Sequence, residues 1–333
     1  MKKSTKIILI ASACLMTAGA LLTGAGLIAG GAPGYMITGS GLRTASSRND
    51  MYQLKKTSVD RLTAVNITMD ASADIEILPS DDGNCYLEYL LDGDYPEPRW
   101  EVHDGTLTLT QEDSGISGGV FFFGSDFGRT LRQDPFIRVY VPEDISLSDL
   151  DIYNDAGSIE VRKIHSEKVS LNADFGNLSI SGCDFGSLEL NDSSGGIEVT
   201  DTRSDTLISR NDFGDSSFSG MSVLSAEITS GGGSIYLDAE NLENLTGSND
   251  FGSTDIILHA PLSDFSCDIS TDFGSISLPD NAPGNYVSDG FGEESYESSG
   301  TEEKKITFSA ASGDIGIEEK KTEKGSPCGI GPE

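Results

Sequence analysis

Positive charge is scarce in this sequence. Its 22 Lys and Arg stand against 54 Asp and Glu, a formal net charge of −32. A surface of that sign repels nucleic acid and anionic lipid, and suits solubility or divalent cations. Tryptophan occurs once. The five cysteines, Cys14, Cys85, Cys183, Cys267 and Cys328, make no CxxC pair and no zinc-spaced Cys/His cluster. The expected state is therefore a free, buried thiol acting as a small apolar group. Helical periodicity is missing from the chain beyond its N-terminal apolar run. What the sequence does have is 39 Gly and a hydrophobic fraction of 37%, too high for wholesale disorder. Many short strands joined by Gly, Asp, Asn and Ser turns would give this profile.

The N-terminus holds the one long apolar run. Ile7 to Ala29 carries no charge, and 23 helical residues span about 34 Å, enough for a bilayer core of about 30 Å. Lys2, Lys3 and Lys6 precede it, so residues 1–6 are expected in the cytoplasm and the bulk of the chain outside. The segment 7–36 is read as a single-pass anchor and its exit, and 37–60 as a linker. A cleaved signal peptide is the rival reading, and Ala11-Ser12-Ala13-Cys14 resembles a lipoprotein cleavage site. The length of the run favours the anchor.

A repeat dominates the remainder. Gly157, Gly176, Gly195, Gly214, Gly233 and Gly252 each open a strand-like unit, and successive differences are all 19; Gly274 follows 22 later. Such self-similarity signals a solenoid or related array. Stacked, the units show apolar pairs two residues apart, among them Ile159/Val161, Leu178/Ile180 and Ile197/Val199, then Val169/Leu171 and Leu188/Leu190. That is the period of a strand with one buried face. The predicted fold is all-β: a single-domain β-solenoid or β-roll-like stack over residues 61–318, regular at about 157–273, with two short strands per 19-residue unit. Corresponding strands pair between neighbouring units at about 4.8 Å. The tail 319–333 has no core-forming pattern and is read as disordered.

Asp-Phe-Gly recurs at these junctions, as in NADFGNL, NDFGDSS, NDFGSTD and TDFGSIS. It is not the metal loop of a protein kinase, because no VAIK strand or HRD loop accompanies it. Gly supplies the turn, Asp bonds nearby backbone, and Phe is expected to turn inward and plug the corner. Phe175, Phe213 and Phe251 recur at 38, which leaves a 38-residue turn as the rival geometry. The Phe repeats would lie about 9.6 Å apart on the 19-residue turn and about 4.8 Å on the longer one. Asp174, Asp212, Asp250 and Asp272 are the candidate metal ligands, since turn carboxylates suit calcium. However, the calcium repeat GGxGxDxUx is not matched.

Residues 62–111 hold further strand candidates. An insertion, Ser114 to Pro135, carries Phe121-Phe122-Phe123, read as a cap on the stack or as an exposed partner or membrane-surface patch. The stretch after Pro279 reads as a surface loop, and ITFSAASGDIGIE as a last strand pair.

At IRVYVPEDISLSDLDIYNDAGSIEVRKI and the Gly-x-Ile-x-Val units that follow, the chain resembles a bacterial β-strand-repeat family named "putative adhesin", often found behind an N-terminal membrane helix. The likeness covers roughly residues 60–318. It implies a cell-surface or envelope-associated protein and brings no catalytic residues and no cofactor. The expected function is a non-catalytic adhesion, binding or scaffold module, with an unknown envelope component as partner. Alternatives are a calcium-binding surface repeat, or an accessory to envelope-stress signalling that needs a membrane-protein partner. Short units leave little room for the loops that build an enzyme cleft.

Overall fold

The computed structural model describes residues 50–93, 95–112, 134–300 and 303–320, with Ser12, residues 15–19, Leu22 and Gly24, and the backbone at 35–38 and 41–44. Two compact units are present. The described part of the smaller, N-terminal unit holds helical residues at 12, 15–19, 22 and 24, and an antiparallel pair, Tyr35–Thr38 with Gly41–Thr44. Among the described residues no helix is long and apolar enough to cross a membrane. Most of the expected span 7–29, the Phe121–Phe123 cluster and the tail 321–333 lie outside the described residues.

The larger unit is a stack of chain turns built from two parallel ladders. One joins Asp149–Ala156, His165–Phe175, Asp184–Asp192, Arg203–Asn211, the second half of Ser216–Ser230 and Asn244–Phe251. The other joins Ile159–Arg162, Leu178–Ser181, Ile197–Thr200, the first half of Ser216–Ser230, Ile235–Glu240 and Thr254–Leu258. The register gives the turn length directly. Ile159 pairs with Leu178, Leu178 with Ile197, Ile197 with Ser216, Ser216 with Ile235 and Ile235 with Thr254, a step of 19 each time. The 38-residue turn is excluded.

The alternation seen in the sequence becomes a core between the ladders. Leu178, Ile180, Leu188 and Leu190 of one turn are all buried. Their burial contributes roughly 6–12 kcal/mol at about 1.5–3 kcal/mol per side chain. One turn alone would leave both ladder edges unpaired, so stability comes from its neighbours. Helix is confined to one 3₁₀ turn, Leu262–Asp264, among the described residues of this unit.

At both ends the order in space departs from the order in sequence. Lys305–Ser312 lies between Asn244–Phe251 and Ser266–Thr271, pairing with both. Ile315–Glu319 lies between Thr254–Leu258 and Ile276–Ser277. The last described turn is thus inserted ahead of the turn that precedes it in the chain. At the opposite end, Ala64–Ser72 and Asp74–Ser80 pair inward with Asp149–Ala156 and Ile159–Arg162. Outward they pair with Thr106–Gln111 and Phe136–Pro142, so the first turn is also second from its end.

Antiparallel strands close both ends. Arg99–His103 covers Thr106–Gln111, and Cys85–Leu91 followed by Tyr52–Val59 covers Phe136–Pro142. At the other end Glu294–Ser298 and then Asn285–Ser288 cover Ser266–Thr271. Two expectations are corrected here. The linker read over 37–60 contains the strands Gly41–Thr44 and Tyr52–Val59, and the second begins the larger unit. The loop after Pro279 contains a capping hairpin that blocks the edge pairing an open end would invite.

Candidate functional site

The corner where the two ladders meet is the most regular feature of the surface. It is held by a column of glycines. Gly233 has φ +133°, which disfavours any side chain, and a Cβ there would overlap the Gly214 carbonyl of the preceding turn. The inserted turn obeys the same rule: a Cβ on Gly313 would overlap the Gly252 carbonyl, and one on Gly274 the Gly313 carbonyl. Beneath the glycines run amides that strap one turn to the next. Asn211 Nδ2 donates to the Gly195 and Gly214 carbonyls at 3.2 and 3.1 Å, and Asn249 Nδ2 to those of Gly233 and Gly252 at 3.1 Å each. Asn154 Nδ2 bonds Ala73 and Gly157 at 2.9 Å in the same way.

Asp192 occupies this column where Asn211 and Asn249 stand in other turns. It is 3% exposed. Its Oδ1 accepts from the Ser194 N–H at 3.1 Å, whereas its buried Oδ2 has no hydrogen-bond partner among the described residues. Burial, reinforced by the charges of Asp174 and Asp212 against the Ser194 hydrogen bond, pushes its carboxyl up to about 6.

Outside the glycines stand the phenylalanines, and here the sequence reading is overturned. Phe175, Phe213, Phe251 and Phe273 are 63, 70, 67 and 71% exposed, so the rings do not plug the core. The interior at this corner is already closed by the buried residues Asn154, Ala173, Asp192, Asn211, Ser230 and Asn249, and each ring stands at or just past the last residue of its ladder strand. Main-chain hydrogen bonds fix the order of the row. Gly157 N–H bonds the Phe175 carbonyl, and the following glycines reach Ser194, Phe213, Gly232, Phe251, Ser312 and Phe273 in turn. Rings and small residues therefore alternate through the inserted turn, with Ser312 filling the slot between Phe251 and Phe273. Successive rings are two turns, about 9.6 Å, apart.

The four candidate metal ligands flank this row. Asp212, Asp250 and Asp272 are exposed, and Asp174 is half-buried, with its Oδ2 accepting from Tyr153 Oη at 2.9 Å. Burial, then that bond and nearby carboxylates, push the Tyr153 phenol up to about 12. Like the rings, the four carboxylates sit on alternate turns, which spaces them by about 9.6 Å. No group of three His, Cys, Asp or Glu that could hold a metal ion occurs among the described residues.

Elsewhere, His259 lies between two carboxylates. Its Nε2 is 2.6 Å from Asp238 Oδ1 and its Nδ1 is 3.4 Å from Glu240 Oε1, while Lys320 Nζ is 3.2 Å from Asp238 Oδ2. Burial works to raise the Asp238 carboxyl, but the His259 and Lys320 hydrogen bonds outweigh it and hold the group below its ordinary range. The cluster's effect is to clamp the inserted turn, through Lys320, to its neighbours. Sequence reasoning missed it, although His259 follows Glu240 by one repeat length of 19. Where the strands His165–Phe175, Asp184–Asp192 and Arg203–Asn211 begin, Glu143, Asp144, His165, Asp184, Arg203 and Asp205 line an open groove of about 400 Å³. There Arg203 is engaged by Asp184 at 3.6 Å and Asp205 at 3.3 Å. Cys85, Cys183 and Cys267 are free and buried, as expected.

A stack of 19-residue turns with two parallel ladders and capped ends defines a class of all-β, solenoid-like repeat proteins. The chain belongs to the Toastrack DUF4097 family, whose model matches residues 63–318. No curated protein matches. Among solved structures the chain is similar to a "putative adhesin" of Parabacteroides distasonis, at 15% identity, covering 82% of this chain and 98% of that one, with a TM-score of 0.44. It is also similar to a "putative adhesin" of Bacteroides fragilis, at 14% identity, 81% and 97% coverage and a TM-score of 0.40. A third, a "putative lipid binding protein" of Parabacteroides distasonis, shares 15% identity over 82% and 98% of the two chains, with a TM-score of 0.39.

Proposed function

We propose that this chain is a non-catalytic β-repeat protein of the bacterial cell surface, tethered by its apolar segment 7–29 and presenting the stack outside the membrane as a binding or scaffold module. The observation that carries the binding role is the row of exposed Phe rings. Four large apolar side chains at regular intervals on a rigid corner have no role in the core, and exposed apolar patches of this kind mark interaction surfaces. The charge pattern around segment 7–29 supports the orientation, with Lys2, Lys3 and Lys6 close before it and the first basic residues after it, Arg43 and Arg48, more than a dozen residues away.

Protease treatment of intact cells tests the location. The stack is expected to be removed or protected as a block while the membrane-embedded remnant stays behind. Recovery of untouched full-length chain from intact cells, with digestion after lysis, would reject the surface assignment. Extraction in mild detergent followed by purification distinguishes a self-sufficient scaffold from a component that works through a membrane partner, because only the latter brings a stoichiometric companion.

A further inference from the structure

We infer that the Phe edge binds a cationic polypeptide segment in an extended, polyproline-II-like conformation, placing one side chain in each slot between successive rings. The inference rests on the surface-binding reading above and supplies the chemistry of the partner. Two properties of the edge carry it, one of spacing and one of charge.

The rings of Phe175, Phe213, Phe251 and Phe273 stand on alternate turns, separated by Ser194, Gly232 and Ser312. Their interval is about 9.6 Å, and three intervals span about 29 Å. Three residues of a polyproline-II chain rise about 9.3 Å, so such a chain drifts out of step by only about 1 Å over the whole row. Two residues of a β-strand rise about 6.8 Å and fall out of step at once, and three, at about 10 Å, put successive side chains on opposite faces. Seven residues of an α-helix rise about 10.5 Å and drift by about 3 Å. A three-residue period keeps register, and aromatic-lined surfaces recognise this preformed conformation at low entropic cost.

The charge on the edge is of one sign. Asp174, Asp212, Asp215, Asp250, Asp272 and Asp314 lie within the same turn segments. The basic residue closest in sequence to the rings is Arg210, and its guanidinium is engaged by Glu227 at 3.1 Å and Glu189 at 3.6 Å. Exposed ring faces next to carboxylates attract ammonium and guanidinium groups. The complement is therefore a chain carrying Lys or Arg at every third position.

The test uses the full chain in mild detergent and two synthetic peptides of identical composition. One is a Lys-Pro-Pro repeat; in the other the same lysines are clustered. Equal charge removes the generic attraction of a chain carrying −32. At about 150 mM salt, where exposed charges beyond about 8 Å are screened, the periodic peptide is expected to bind about tenfold more tightly by calorimetry. The quadruple variant F175S/F213S/F251S/F273S is expected to lose that preference. Serine already occupies two of the three intervening positions of the row, Ser194 and Ser312, and circular dichroism and melting verify the fold; Phe213→Ser alone serves if the quadruple variant misfolds, with a smaller loss of preference. Equal binding of the two peptides, no binding of either, or a preference that survives the Phe substitutions overturns the inference. Each of those results leaves the surface assignment to stand or fall on the protease experiment.

Discussion

Replacing Asp192 by asparagine should stabilise this protein, and by an amount that depends on pH. In three other turns Asn154, Asn211 and Asn249 each donate their amide to two main-chain carbonyls and leave only their own oxygen unpartnered, whereas Asp192 brings a second oxygen, not a donor, to the same surroundings. The folded-state carboxyl is raised to about 6 from 3.8, so the native protein binds the proton more tightly than the unfolded chain. The contribution of this site is thus most favourable at low pH, where the proton is held in both states. It is lost as pH rises from about 4 through about 6, and flat above that. At about 1.4 kcal/mol for each tenfold in proton affinity, the rise from 3.8 to about 6 makes ionised Asp192 destabilising by about 3 kcal/mol at pH 8. The assay is urea unfolding of wild type and Asp192→Asn at pH 4.5 and pH 8. Subtracting one protein from the other cancels the titration of every carboxylate they share. The variant should be about 3 kcal/mol more stable at pH 8, and the gain should shrink to about 1 kcal/mol or less at pH 4.5. A gain of equal size at both pH values, or a loss at pH 8, would refute the account of a protonated acid standing in for an amide.

Three further outcomes follow from the same geometry. Gly233→Ala should destabilise by more than about 2 kcal/mol because it meets both a positive φ and a neighbouring carbonyl, whereas Gly83→Ala, with open space around it, should cost about 1 kcal/mol; thermal melts compare them. Phe213→Ser should leave stability within about 0.5 kcal/mol, while Phe218→Ala, in a fully buried site, should lose about 3–5 kcal/mol by urea titration. Cys183, whose thiol burial pushes up to about 11, should resist alkylation at pH 8 until denaturant is added; labelling of the native protein would contradict its placement.

The turn length was legible because one residue type cannot be replaced. Each junction needs a glycine because a Cβ would overlap a carbonyl of the neighbouring turn, and all but Gly195 also take a positive φ, so Gly157 through Gly252 mark the repeat without interruption. The direction of the Phe side chains was not legible. Alternation along Val169, Leu171 and Ala173 points Phe175 toward the core, but alternation cannot say where the core stops. The insertion of the last turn was also hidden, since Thr254 meets Ile315 across 61 residues of chain. Two traces of it were present: the step of 22 from Gly252 to Gly274, and the unit signature Gly313-Asp314-Ile315-Gly316-Ile317. The strand Tyr52–Val59 escaped notice because it is an edge strand with a register shift between Leu54 and Thr57, which breaks the alternation at Lys55-Lys56. Within the candidate site, sequence reasoning found the Asp and Phe residues but gave the rings the wrong side of the wall. Aligning Asn154, Asp192, Asn211 and Asn249 would have exposed the odd acid.

The inserted turn also sets how the molecule answers a pull. Among the described residues Tyr52–Val59 is hydrogen-bonded along one side only, so tension entering from the N-terminal direction can open it like a zip, a bond or two at a time. Tension entering at Lys320 meets a strand pinned on both sides and must break two ladders simultaneously, in shear, before any length is released. A stack tethered at one end and gripped at the other would therefore yield from the tether side first, keeping its Phe-lined corner intact while it stretches.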